Sequence, residues 1–262
     1  VVLKSTKVHP RRMKILLTND DGIHAEGLKV LFRELSKYHD VLVLAPDREQ
    51  SATSHSLTLT RPLRIYQHGR SYFSCDGTPT DSVLLAVLRL FGRKRPDMII
   101  SGINHGPNMG EDIMYSGTVA AAIEGSQMGV PSLAVSMTDA SGADFKSAAR
   151  FVRRFLRVYP QLDVDPATIL NINFPGKVKG GFPKFMFTSL GSRRYDDVII
   201  EKTDPRGLDY FWIAGTATWK RQAGSDIMAV RSGAVSITPV HLHFTESNIL
   251  QRLLAASVKL PR

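Results

Sequence analysis

Asn19-Asp20-Asp21-Gly22 places an amide, two adjacent carboxylates and a glycine directly after a strand-like run that ends at Thr18. Two neighbouring carboxylates repel and are costly to bury. Along a strand they would point to opposite faces. Both reach one ligand only where the strand has ended, and Gly22 permits that turn. A divalent cation would offset the repulsion, and oxygen-only donors suit Mg²⁺ or Mn²⁺. The plainer alternative is a polar turn in which Asp21 caps the next helix, since turns favour these residue types in any case.

Three further stretches carry polar groups beyond strand-like runs. Pro46-Asp47 opens a loop through Ser51, Thr53, His55 and Ser56, whose side chains are expected to reach the same crevice as Asp20. Ser101 to Gly110 follows Met98-Ile99-Ile100 and supplies Asn104 and Asn108 as neutral oxygen ligands or amide donors, with His105 as a proton donor. Ser116-Gly117-Thr118 opens a helix whose free N–H groups form an anion site. Each stretch has an ordinary structural explanation when taken alone.

The elements that must position these groups alternate. Strands are expected at Lys14–Thr18, Val41–Ala45, Met98–Ile100, Val130–Ser136 and Ile169–Phe174. Helices are expected at Ala25–Tyr38, Ser82–Phe91, Val119–Met128 and Phe145–Tyr159. Thr78-Pro79-Thr80-Asp81 reads as a helix start, and Leu57, Leu59, Leu63 and Ile65 as an extended stretch. Arg150, Arg153, Arg154 and Arg157 are expected on the solvated side of their helix. The pattern predicts an α/β fold: a three-layer, doubly wound, mostly parallel sheet with loops leaving the carboxyl ends of its strands. After residue 176 it changes to short runs at Phe185–Phe187, Val198–Lys202, Tyr210–Ala214 and Val235–Thr238, with a hairpin turn at Asp204-Pro205-Arg206-Gly207 and a closing helix over Thr245–Ser257. The division expected is a basic N-terminal extension over residues 1–12, an α/β catalytic core over 13–176, and a C-terminal antiparallel, oligomerisation segment over 177–262 packed on that core.

The 262 residues are 43% hydrophobic, and no apolar run approaches the roughly 20 residues needed to span a bilayer. Val1 to Arg12 lacks an apolar core and reads as an extension before a start at Met13, not as a signal peptide. Cys75 is the single cysteine, compatible with a reducing cytoplasm. The net charge of +10 raises the question of nucleic acid. The cations are spread out, however, with local clusters at Arg93–Arg95 and Arg150–Arg157, and they are not interleaved with aromatics as a single-strand binder requires. A solvated basic surface that draws in small anions is the expectation, with no specific nucleic-acid partner and no membrane.

Taken together, Ile15–Gly22, Ala45-Pro46-Asp47 through Thr53, Ser101-Gly102-Ile103-Asn104 through Gly110, and Ser116-Gly117-Thr118 resemble the SurE (survival protein E) nucleotidases. Gly77–Asp81 and Val235–Pro239 look like family motifs as well, and the order and spacing agree from Met13 to about residue 250. The resemblance implies a metal-dependent phosphatase, of the nucleotidase or acid-type kind, that hydrolyses nucleoside 5′- and 3′-monophosphates, with a side activity on short polyphosphate to be tested. It implies one divalent cation per subunit, Mg²⁺ or Mn²⁺, held by Asp20, Asp21, Ser51 and Asn104. Asp20, Asp21 and Asn108 would be catalytic, Ser116, Gly117 and Thr118 would bind phosphate, and Asn19 and His105 would contact substrate. It also implies self-association to a dimer or tetramer through a swapped C-terminal segment. Gln50 stands where many relatives have a basic residue, and His105 where some have arginine, which bears on substrate preference more than on the reaction.

Two rival classes, other sheet enzymes and nucleic-acid-binding proteins, make different demands. A haloacid dehalogenase-type phosphatase wants carboxylates two apart on the first loop, whereas here they are adjacent. A Rossmann dinucleotide enzyme wants Gly-x-Gly-x-x-Gly after the first strand, which is missing. A nucleic-acid-binding protein would show salt-sensitive binding that survives loss of Asp20.

Overall fold

The apolar runs and the helical repeats build one layered α/β unit, seen in a computed structural model that describes residues 12–138, 144–176, 182–243 and 245–256. For 194–197, 216 and 217 only the backbone is described. The expected N-terminal extension falls outside the described residues except for Arg12, as does Ser257.

The strands are β1 (Lys14–Thr18), β2 (Asp40–Pro46), β3 (Ile65–Gly69), β4 (Tyr72–Cys75), β5 (Met98–His105), β6 (Ser132–Met137), β7 (Ile169–Phe174), β8 (Phe185–Phe187), β9 (Arg193–Thr203), β10 (Asp209–Trp219) and β11 (Val235–Val240). The helices are α1 (Glu26–Leu35), α2 (Pro79–Leu85), α3 (Gly117–Gln127), α4 (Phe145–Val158), α5 (Asp226–Arg231) and α6 (Ser247–Ala255). Nine strands form one sheet in the order β3-β4-β2-β1-β5-β6-β7-β11-β8. From β4 to β7 every pairing is parallel, while β3 and β11 run antiparallel to β4 and β7. This is the doubly wound sheet that the alternating pattern predicts. Its order reverses between β1 and β5, and in such sheets ligands collect beyond the strand ends at that switch point.

Side-chain alternation along β1 divides the core between the two faces. Ile15 and Leu17 point into the cluster with Leu28, Leu31, Phe151 and Phe155 of α1 and α4. Leu16 points the other way, toward Val83 and Ala121 of α2 and α3. The small Ala120-Ala121-Ala122 run lets α3 lie close on the sheet, and Gly117 to Ser126 are all buried. A capping box starts α2: Thr78 Oγ1 accepts the Asp81 N–H at 3.0 Å, and Asp81 Oδ2 accepts the Thr78 N–H at 2.9 Å.

Several elements depart from expectation. The helix expected over Ser82–Phe91 begins at Pro79 and becomes π-helical from Ala86 to Phe91. Leu57 and Leu59 are exposed, and only Ile65–Gly69 of that stretch is a strand. Their alternation comes from a loop held by side chains, not from a ladder. Arg153 is not on the solvated face: its guanidinium meets Glu34 at 2.7 Å and lies over the Tyr38 ring at 4.8 Å. The strands beyond residue 176 divide, since β8 and β11 extend the main sheet and β9–β10 form a separate antiparallel hairpin. That hairpin exposes apolar side chains on both faces, Ile199, Ile200, Trp212 and Ile213 among them.

Asp81 is 2% exposed and also accepts the Thr58 N–H at 3.0 Å. Asp81→Ala would strand two N–H groups. A loss of roughly 1–3 kcal/mol is expected, read as a lower urea midpoint at unchanged slope.

Candidate functional site

β1 ends at Thr18, and the chain leaves the sheet at the switch point. Asn19 is fully buried; its Nδ2 donates to Gly22 O at 3.0 Å, and its Oδ1 is buried with no hydrogen-bond partner among the described residues. Gly22 has φ +92°, and a Cβ there would lie 2.9 Å from the Arg48 carbonyl carbon, so the turn that aims both carboxylates requires glycine.

Asp21 does not cap α1, whose N-cap is Ala25 without a side-chain bond. Its Oδ2 instead accepts the His105 N–H at 3.1 Å and lies 3.3 Å from His105 Nδ1. The imidazole is steadied edge-on against Phe145, with centroids 4.9 Å apart. His105 and Asn104 are the last two residues of β5, so this contact joins the two strands of the switch point.

The start of α3 rests on Asp20. The Thr118 hydroxyl donates a short hydrogen bond to Asp20 Oδ1. A Cβ on Gly117 would stand 2.8 Å from Asp20 Cβ, so only glycine allows this approach. Ser116 Oγ accepts the Val119 N–H at 3.1 Å and caps the helix. The first N–H groups of a helix lack partners within it, so the positive end of α3 abuts the carboxylate.

The loop after β2 is tied to the same point, because the Gln50 N–H donates to Asp20 O at 2.7 Å. Ser51 is exposed and donates to Glu49 Oε1 at 2.7 Å. The Thr53 and His55 side chains, also expected in the crevice, instead fasten the loop, as does the backbone of Ser56. Thr53 donates to Gln50 O at 2.9 Å, His55 meets Glu124 Oε2 at 2.8 Å, and Ser56 O accepts from Thr78 Oγ1 at 2.8 Å. Asn104 turns its Nδ2 onto Gly106 O at 3.0 Å, so that Oδ1 is the atom it would offer to a ligand.

Asn108 lies deeper. Its N–H donates to Asn173 Oδ1 at 2.8 Å, its Nδ2 to Ser136 Oγ at 2.7 Å, and its carbonyl accepts from Asn171 and Asn173. Asn171, Asn173 and Ser136 form a polar floor that the sequence reading does not single out. The signal was present, since two asparagines alternate with apolar residues in a strand buried along its whole length, and buried amides need partners.

Burial pushes the Asp20 carboxyl up to about 6; the Asp21 charge adds to the rise and the Thr118 hydroxyl opposes it. Burial also raises Asp21, against the N–H and ring of His105. Among the described residues no lysine or arginine pairs with either carboxylate, and no cluster of three or more His, Cys, Asp or Glu side chains suited to a metal occurs. The donor set that the resemblance implies is two carboxylates with neutral oxygens from Asn104 and Ser51. Its excess negative charge, together with the orphaned Asn19 Oδ1 beside it, fits a hard divalent cation.

A doubly wound sheet whose switch point carries paired carboxylates and an abutting helix N-terminus defines an α/β protein with an acidic pair at the ligand-collecting end of its sheet. Residues 15–197 match the family described as Survival protein SurE. Proteins named 5′-nucleotidase SurE are similar over most of the chain. One from an Anaeromyxobacter species is 44% identical, covering 94% of this chain and 96% of its own. One from Geobacter metallireducens is 46% identical, covering 89% and 93%. The crystal structure of the SurE protein from Aquifex aeolicus superposes with a TM-score of 0.82 at 35% identity, over 94% of this chain and all of that one. The chain belongs to the SurE family.

The raised Asp20 has a consequence for the metal-stripped protein. Folding lifts this carboxyl from 3.8 to about 6, so the folded state binds more protons between those values and its stability falls as pH rises through that window. Asp20→Asn keeps an acceptor for Thr118 and removes the charge. In chelator at pH 7.5 the variant should be more stable by on the order of 3 kcal/mol, with the gain vanishing below about pH 4. Denaturant titrations at the two pH values check this.

Proposed function

We propose that this chain is a divalent-cation-dependent phosphomonoesterase that hydrolyses nucleoside 5′- and 3′-monophosphates to nucleoside and phosphate. The observation that supports it most is the buried Asp20, pressed between Asp21 and the start of α3 at the switch point of the sheet. Its relatives' printed name, 5′-nucleotidase SurE, supports the substrate class.

Asp20, Asp21, Ser51 and Asn104 would hold the cation. When bound, it supplies positive charge that polarises a phosphoryl oxygen and offsets the two carboxylates. The chain's own residues do the rest. Gly117 and Thr118 at the α3 N-terminus bring partial positive charge to the phosphate oxygens. Asn108 supports them by fixing the loop before α3 to the sheet floor. Asp21 orients His105 through its backbone N–H and Nδ1, so that Nε2 can give a proton to the departing nucleoside oxygen. Asn19 backs the turn and keeps one amide oxygen for the site.

The P–O ester bond breaks, a water oxygen takes its place on phosphorus, and the nucleoside oxygen gains the proton. Attack by water is favoured over attack by a carboxylate because Asp20 and Asp21 are already engaged. Single turnover in oxygen-18 water should place the label in phosphate and not in protein.

The assembly proposed is a homodimer, alone or paired into a tetramer. The apolar faces of the β9–β10 hairpin support it, as does α6, which exposes Leu253 and Leu254 and buries no residue of its own. The cytoplasm is the proposed location. Its support is the single cysteine, Cys75, which is buried and free.

The test is phosphate release from a panel of 5′- and 3′-monophosphates and short polyphosphate, with Mn²⁺, Mg²⁺ or chelator. Release by the parent should need the cation. Asp20→Asn and Gly117→Ala should each lower it on the order of 100-fold, the second by displacing Asp20. Release that is indifferent to chelator and to both substitutions would sink the reading.

A further inference from the structure

Between β5 and α3 runs a 3-10 turn, Gly110–Met114, flanked by Asn108 and Ser116. The root of the hairpin holds it from outside the main sheet. The Arg193 N–H donates to Glu111 Oε2 at 2.6 Å, and its guanidinium pairs with Asp112. The same guanidinium lies over the Trp219 ring, 4.6 Å from its centroid. Trp219 is the register partner of Arg193, so the stack closes the base of the hairpin. Beside it, Asp226 is fully buried and accepts the Gly110 N–H at 2.9 Å and the Gly191 N–H at 2.8 Å. Met109 packs with Ile227, Val230 and Trp219.

The side chains of Arg193 and Asp112 are only 19% and 15% exposed. Charges so placed are expensive to leave unpaired, which makes the contact a stiff one. None of these residues belongs to the proposed reacting set. All of them meet the one segment that feeds into the N-terminus of α3.

We propose that Arg193 is a positioning residue for the phosphate end of the site. Through Asp112 and Glu111 it fixes the turn 110–114, and through that turn the placement of Ser116 and Gly117 against Asp20. The hairpin root is thus a strut for the site as well as a stem for its exposed strands. The inference rests on the phosphatase reading of the site.

The experiment uses the full chain as parent, Arg193→Ala, Arg193→Lys, Asp112→Asn and the double variant Arg193→Ala/Asp112→Asn. Four quantities are measured: KM for a nucleoside monophosphate, Ki for inorganic phosphate, half-saturating Mn²⁺, and sedimentation with thermal melting. Arg193→Ala should raise KM and phosphate Ki on the order of tenfold. Half-saturating Mn²⁺ should move less than either, because Asp21, Ser51 and Asn104 lie outside the turn and only Asp20 touches the start of α3. Asp112→Asn should do the same, and the double variant should be no worse than either single one. Lysine, which keeps the charge but not the planar stack, should restore part of the loss. An unchanged phosphate Ki in Arg193→Ala, or additive losses in the double variant, would overturn the proposal. Should Arg193→Ala unfold or change its assembly, Asp112→Asn, which leaves the hairpin sequence intact, decides by the same readouts. A parent without cation-dependent, Asp20-dependent release would overturn the site reading itself, a failure visible before any Arg193 variant is compared.

Discussion

Two carboxylates at the end of a buried strand repel each other and lose hydration, and the structure around them is arranged to hold that conflict in place. Asp20 is braced by the Thr118 hydroxyl and the start of α3, and its own carbonyl is gripped by the Gln50 N–H. Asp21 is turned to the opposite side, onto the backbone and ring of His105. Each brace comes from a different strand or helix. The ends of β1, β2 and β5 and the start of α3 therefore have to be positioned relative to one another before the pair can exist. That requirement explains the close fit of Gly117 and the polar floor of Asn171, Asn173 and Ser136 beneath the loop.

The charge is also what the proposed cation would offset. A carboxylate pair with no lysine or arginine partner among the described residues is destabilising by itself. It would become favourable when positive charge arrives, and the helix end beside it could meet the oxygens of an anion that follows. Stability given up without the cation would then be recovered on binding, a common relation at sites arranged for function.

Much of this was legible in the sequence. The strand-turn at Asp20-Asp21-Gly22, the capping box at Thr78 to Asp81 and the alternation of elements each rest on local rules, and local rules survive folding. What could not be read depended on distant partners. Ser54 donates to Met114 O, sixty residues on, so a hydroxyl-rich loop could not reveal whether it would ligate or fasten. Leu57 and Leu59 alternate as strand residues do, but no strand among the described residues pairs with them. The destinations of β8 and β11 were hidden for a similar reason, because joining the main sheet or standing with the hairpin is a choice of pairing that short apolar runs do not encode.

The hairpin enters and leaves the body of the protein at one place, since Arg193 and Trp219 face each other across its base. An excursion with adjacent ends can lengthen, shorten or change its outer side chains without altering the path of the chain elsewhere. Its root, bound to Asp112 and flanked by Asp226, has no such freedom. Over evolutionary time the tip can therefore change its outer surface while the base stays fixed. Descendants of this fold can diverge at the hairpin tip faster than at the end of β1.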